Sequence, residues 1–223
     1  MVFPRPIRAV VFDMDGLLID SEALVREGGI RAARRMGKDL PISVTARMIG
    51  LPLAECIDML TRHFGPGFDM VQYLTLERTE VLALFKEGVA LKAGVVELLD
   101  HLDQLGLPRA VATSSSRDAV EAHLGGHKIL SRFDAVIARE DVRRHKPNPD
   151  PFLAAAAALN VEAEHCLALE DSHNGVRAAH AAGMMTIMVP DLLDPTEEMA
   201  EKTIHIAESL HEVQRLLEAR PLP

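Results

Sequence analysis

Asp13 and Asp15 follow the apolar run Val10-Val11-Phe12, and Gly16 comes next. Alternate residues of a strand point to one side, so the two carboxylates project together while Met14 points away. Side by side, they repel unless a cation, a proton or a developing charge lies between them. Two other apolar runs end in a similar way. Residues 109–112 lead into Thr113-Ser114-Ser115-Ser116, and residues 166–169 into Glu170-Asp171-Ser172. Lys146, in Arg143-Arg144-His145-Lys146-Pro147, precedes a helix after another run and could reach the same edge. Four acids in one crevice (Asp13, Asp15, Glu170 and Asp171) call for a divalent cation, and oxygen-only ligands point to Mg2+. The Thr113 hydroxyl, backbone amides at Thr113 and Ser114, and the Lys146 ammonium would hold an anion beside it. Anion, magnesium and an available carboxylate describe phosphoryl transfer through an aspartyl phosphate, with Asp15 handling protons.

Each piece also has a plainer reading. Residues 13–16 fit an acidic turn, 113–116 and 170–172 fit helix N-caps, and Lys146 fits a solvated basic run. Those readings weaken together, because each would have to put its polar group at the same edge by accident.

The elements that must deliver these groups are short buried strands alternating with helices. Strands are expected at 7–12, 109–112, 135–138, 166–169 and 186–189, with helices at 94–105, 117–124, 151–159 and 174–182. Such alternation predicts an α/β fold with a mostly parallel, Rossmann-like sheet, whose ligands bind beyond the carboxyl ends of the strands. Asp150-Pro151 reads as an N-cap acid followed by proline at the first helical position. The alanine run 154–158 reads as a close-packing helix face. Between residues 20 and 87 only helical periodicities occur, at 21–36, 43–49, 53–64 and 69–86. An all-helical domain, 19–87, is therefore expected as an insert after the first strand of a core formed by 1–18 and 88–223. The crossings at 17–19 and 88–91 are hinge candidates.

Composition narrows the partners. The chain is 48% hydrophobic and 26% charged with net charge −9, a globular balance that disfavours a nucleic-acid partner. It has no Trp and one Tyr, too few aromatics for base stacking. Cys56 and Cys166 lie far apart with no CxxC spacing, which predicts two small, buried, reduced thiols. No stretch approaches a membrane span and no signal-peptide pattern opens the chain, so a soluble cytoplasmic protein without membrane contact is expected. Oligomeric state is not readable from the sequence.

The segments FDMDGLLIDSE (12–22), VATSSSR (111–117), HKPNPDPF (145–152) and LEDSHNGVRAAHAAGM (169–184) resemble, in order and spacing, the four motifs of the haloacid-dehalogenase superfamily of phosphohydrolases. The resemblance covers nearly the whole chain. It is nearest to the β-phosphoglucomutase-like phosphatases, whose helical cap follows the first motif. It implies Asp13 as nucleophile and Asp15 as general acid/base. It also implies Mg2+ ligation by Asp13, the Asp15 carbonyl oxygen and Asp171, with Glu170 a direct or indirect partner. Thr113 and Lys146 would bind the phosphoryl group, and the substrate would be a small phosphate ester such as a sugar phosphate or nucleoside monophosphate. Mutases of that subgroup carry a histidine early in the cap, whereas Leu24, Val25 and Arg26 stand here. They also carry an arginine soon after the cap glycine, where Leu51-Pro52-Leu53 follows Gly50. Hydrolysis is therefore expected, with a sugar phosphomutase as the alternative and a non-catalytic phosphometabolite-binding protein as a further one. In the cap, Glu22, Arg26, Arg47 and Gly50 are candidates for substrate choice. Met48, Leu51 and Leu53 are expected in the cap's own core.

Overall fold

The computed structural model describes residues 3–48 and 53–219. They form two compact units, the first made of Met1–Ile19 and Leu91–Pro223, the second of Asp20–Ala90.

The first unit opens with β1 (Ala9–Phe12), four residues buried on both faces, as strands inside a parallel sheet must be. The chain then leaves for the second unit, which is helical: α1 (Ser21–Arg35), α2 (Ile42–Thr45), α3 (Leu53–Phe64) and α4 (Met70–Glu87). The single helix expected at 43–49 is instead α2 followed by a 3-10 turn, Ala46–Met48, with residue 49 outside the described residues. The β-branched run Ile42, Val44 and Thr45 favours a helix this short. Ala32, Ala33, Leu40, Leu60 and Tyr73 form the core of the unit, and the rings of Phe64 and Phe68 stack at 4.1 Å beside it. Met48 joins that core as expected. Leu53 does not: it opens α3 and is 64% exposed, while Leu51 lies outside the described residues.

Returning to the first unit, the chain forms α5 (Val95–Leu105), β2 (Arg109–Ala112), α6 (Arg117–Gly126), β3 (Ala135–Ile137), α7 (Asp150–Ala158), β4 (Cys166–Glu170), α8 (His173–Ala181), β5 (Met185–Met188), α9 (Glu197–Lys202), β6 (His205–Ile206) and α10 (Leu210–Glu218). The six strands lie in the order β3-β2-β1-β4-β5-β6, and every neighbouring pair is parallel. This α/β architecture agrees with the expected Rossmann-like sheet. Where the chain departs and returns, Ile19 bridges Leu91 antiparallel and the Lys92 N–H donates to the Leu18 carbonyl at 3.0 Å.

Small residues let helices sit close on one face of the sheet. Ala9, Val11, Ala110, Ala112 and Ala168 meet Phe152, Ala155 and Ala156 of α7 and Ala178 and Ala179 of α8. The alanine run packs with only half its length, since Ala157 and Ala158 are exposed. Asp150 is not the cap of α7; Pro149 holds that position and Asp150 is the first helical residue. Its Oδ1 accepts from Arg144 Nε at 3.0 Å, which uses the carboxylate outside the helix rather than on its free amides. Cys166 is buried and Cys56 half-buried, and neither forms a disulfide. Among the described residues no helix is long and apolar enough to cross a membrane.

Candidate active site

Three parallel strands finish at one edge and carry the candidate residues there. The Asp13 N–H donates to the Leu169 carbonyl at 3.0 Å, and the Thr113 N–H to the Ile137 carbonyl at 2.9 Å. On the other side of β4, the Glu170 carbonyl accepts from the Val189 N–H at 2.7 Å. Each side chain therefore leaves from the last rung of a hydrogen-bonded ladder, where the backbone is fixed. Because β1 lies between β2 and β4, Asp13 stands between Thr113 and Glu170.

Asp13, Glu170 and Asp171 each offer a carboxylate oxygen, and these atoms all lie within 4.8 Å of one another. Lys146 Nζ donates to Asp13 Oδ1 and, at 2.6 Å, to Glu170 Oε1. The ammonium also stands 4.9 Å from the centre of the Phe152 ring, in reach of a cation–π contact. Glu170 Oε2 accepts from the Ser172 N–H at 2.8 Å and from Ser172 Oγ at 3.0 Å. The Glu170 side chain is wholly buried and that of Lys146 is 6% exposed.

Two of the three clustered carboxyls thus share one ammonium in a place water hardly reaches. Burial raises Asp13 from an ordinary 3.8 to about 8, with the Glu170 and Asp15 charges adding to it and Lys146 opposing. Burial likewise lifts Asp171 well above the carboxylate range, helped by Glu170 and Asp13. For Lys146 burial acts downward, but the two acids it touches outweigh it and hold the ammonium charged. The cluster is short of positive charge. An all-oxygen donor set in that state suits a hard divalent cation of the magnesium class.

Asp15 faces a different way. Its Oδ2 accepts from Ser115 Oγ at 2.7 Å and from Thr113 Oγ1 at 3.3 Å, while the Ser115 N–H donates to Thr113 Oγ1 at 3.0 Å. Its carboxylate is not among the clustered oxygens, so a ligand role for Asp15 rests on its backbone carbonyl, as the family resemblance has it. Ser114 is exposed, and Ser115 was not among the expected site residues. The signal for it was available, since residues two apart share a side and Ser115 is two beyond Thr113. The capping readings hold in part. Ser116 caps α6 by accepting from the Ala119 N–H, and Ser172 caps α8 by accepting from the Gly175 N–H. Neighbours in the same two segments serve the acids.

Two glycines make room for this crowding. Gly16 has φ +84°, and a Cβ there would stand 2.2 Å from Asp171 Oδ2. On α8, a Cβ at Gly175 would meet the Glu170 carboxylate at 1.6–2.2 Å. Gly175→Ala is expected to cost about 1–3 kcal/mol, the usual penalty of overpacking, by pushing Glu170 off Lys146 and Ser172. Urea denaturation of the metal-free variant checks this, and wild-type stability would mean the carboxylate moves aside freely.

In the helical unit, Glu22 and Arg26 are half-buried one turn apart on α1, and Arg47 is exposed on the 3-10 turn. Gly50 lies outside the described residues.

Residues 10–189 match the family model described as haloacid dehalogenase-like hydrolase. The chain is 34% identical over 212 residues to validoxylamine A 7'-phosphate phosphatase of Streptomyces hygroscopicus subsp. limoneus, covering 94% of this chain and 92% of that one. It is 34% identical over 194 residues to hexitol phosphatase B of Escherichia coli (strain K12), covering 85% and 86%. Among solved structures it is similar to CbbY from Rhodobacter sphaeroides in complex with phosphate, with 30% identity, a TM-score of 0.72 and coverage of 93% and 96%. The matched span runs from β1 to just past β5 and so includes every acid of the cluster, Thr113 and Lys146. The chain belongs to the haloacid dehalogenase-like hydrolase family.

Proposed function

We propose that this protein is a magnesium-dependent phosphatase that hydrolyses a small phosphorylated metabolite of the sugar-phosphate or nucleoside-monophosphate class through an aspartyl phosphate. The observation that carries the reading is the buried set of Asp13, Glu170 and Asp171 around one ammonium, Lys146. Such a set is relieved by protonation or by added positive charge, and a phosphate ester can meet an ionised carboxylate only where that charge is present. Relatives named validoxylamine A 7'-phosphate phosphatase, hexitol phosphatase B and phosphorylated carbohydrates phosphatase support the substrate class.

Asp13, Glu170 and Asp171 would hold the cation, together with the Asp15 carbonyl. Bound there, magnesium supplies the charge that keeps Asp13 ionised and screens it from the incoming phosphate. Asp13 then attacks phosphorus, and the ester bond to the leaving oxygen breaks. Asp15 gives that oxygen its proton. In the second half, Asp15 takes a proton from a water that attacks the phosphorylated Asp13, and inorganic phosphate leaves. Thr113 donates to the phosphoryl oxygens and Lys146 offsets their charge as it builds. Ser115 holds the Asp15 carboxylate beside Thr113. Two cysteines outside any disulfide fit a cytoplasmic setting.

A panel of phosphate esters tests this with purified protein and MgCl2. Release of inorganic phosphate is expected from at least one sugar phosphate or nucleoside monophosphate and is expected to stop in EDTA. Asp15→Asn should slow turnover by about 100-fold or more, the usual scale of proton-transfer catalysis. Release of no phosphate across the panel would end the reading. Isomerisation of a sugar 1-phosphate faster than its hydrolysis would assign a mutase instead.

A further inference from the structure

The rule that ligands gather beyond strand ends applies to β5 as well, and there the chain turns through Val189 and Pro190 to Asp191. The Asp191 side chain is 9% exposed. Its Oδ1 accepts from Lys92 Nζ at 2.5 Å, which fixes the carboxylate in place. Its Oδ2 is buried and has no hydrogen-bond partner among the described residues. That oxygen lies near Asp171, one acid of the cluster: the point where a Cβ on Gly16 would stand is 2.2 Å from Asp171 Oδ2 and 3.5 Å from Asp191 Oδ2. Two carboxylate oxygens thus converge on a gap that glycine leaves open. A buried anionic acceptor is stable there only if something donates to it, and Lys92 is turned to the other oxygen.

We propose that Asp191 is a positioning residue for the cation of the cluster, with its Oδ2 accepting a hydrogen bond from a water that the cation carries. Lys92 holds the carboxylate in the orientation that allows it. Residues of this kind, one shell outside the direct ligands, commonly set metal affinity and orient metal-bound water. The inference rests on the magnesium reading of the cluster but adds a residue from a fourth strand end.

Calorimetric titration of the full chain with MgCl2, without substrate, tests it. Asp191→Asn is expected to weaken Mg2+ binding by about tenfold, the lower end of such effects, while keeping the wild-type far-UV spectrum in EDTA. Lys92→Met, which leaves the carboxylate but frees it, should weaken binding by less. If Asp191→Asn does not fold, Asp191→Ser is read in the same way. Unchanged affinity in the Asp191 variant, with Asp171→Asn abolishing binding, would overturn this inference and leave the phosphatase reading intact. Equal losses in the Asp191 and Lys92 variants would also overturn it, reducing Asp191 to an anchor for Lys92. Failure of the wild type to bind Mg2+ would overturn both.

Discussion

Asp13→Asn is expected to lower magnesium-dependent phosphate release by about 10⁴-fold or more, on the scale seen when a covalent nucleophile is removed. A carboxamide has nearly the same shape but no charge with which to attack phosphorus. Lys146 keeps its bond to Glu170, so the pocket retains its ammonium. The variant should also differ in its response to pH. In the metal-free protein Asp13 holds its proton up to about pH 8 when folded but only to about its ordinary 3.8 when unfolded. More protons are bound in the folded state across that window, so its contribution to stability falls as pH rises from about 4 to about 8. Asparagine has no proton to lose, and the fall should flatten. Turnover together with melting in EDTA at several pH values checks both parts. Residual activity above about one per cent would remove Asp13 from its assigned role.

Lys146→Met has the larger expected effect on the fold. The substitution leaves Asp13, Glu170 and Asp171 buried together with no ammonium among them. Removing one member of a buried ion pair commonly costs about 3–5 kcal/mol, and here the lost partner serves two acids. The loss should be largest in EDTA and partly reversed by MgCl2, since a cation replaces some of the missing charge. Turnover should fall with it. Urea denaturation with and without magnesium checks this. A loss below about 1 kcal/mol would mean that protonation of Asp13 and Asp171 already relieves the crowding.

Much of this geometry was legible in the chain because its strands are buried on both faces. Runs such as 110–112 and 166–169 are continuous and apolar, bounded by polar residues, so their ends fall within a residue of β2 and β4. Once strand ends are known, the rule for open parallel sheets brings Asp13, Thr113 and Glu170 to one edge. Lys146 was harder to place, since a long loop carries it and no periodicity fixes where a loop residue lands. Ser115 and Asp191 were missed for different reasons. One sits in a run of identical residues where only direction separates partner from cap. The other lies past β5, beyond the apolar run that ends at Val189 and Pro190. Past Val189 no element was anticipated. Strand β6 has two residues, His205 and Ile206, too few for any pattern, and it pairs only as an edge beside β5. Helix α10 did carry a signal, as Leu210, Val213 and Leu217 repeat at helical spacing and are buried.

The position of β1 in the sheet has a consequence for how the protein comes into being. The strand is made before the helical unit, yet its β4 partner, where Cys166 lies opposite Ala9, arrives about 150 residues downstream. On a ribosome adding roughly 5–20 residues per second, β1 waits on the order of ten to thirty seconds for that neighbour. Residues 20–90 find their contacts within their own stretch and need no such wait. A nascent chain stopped before Cys166 therefore holds the helical unit and a first strand without its second neighbour. The acids of the cluster come together only once the chain has been made through Asp171.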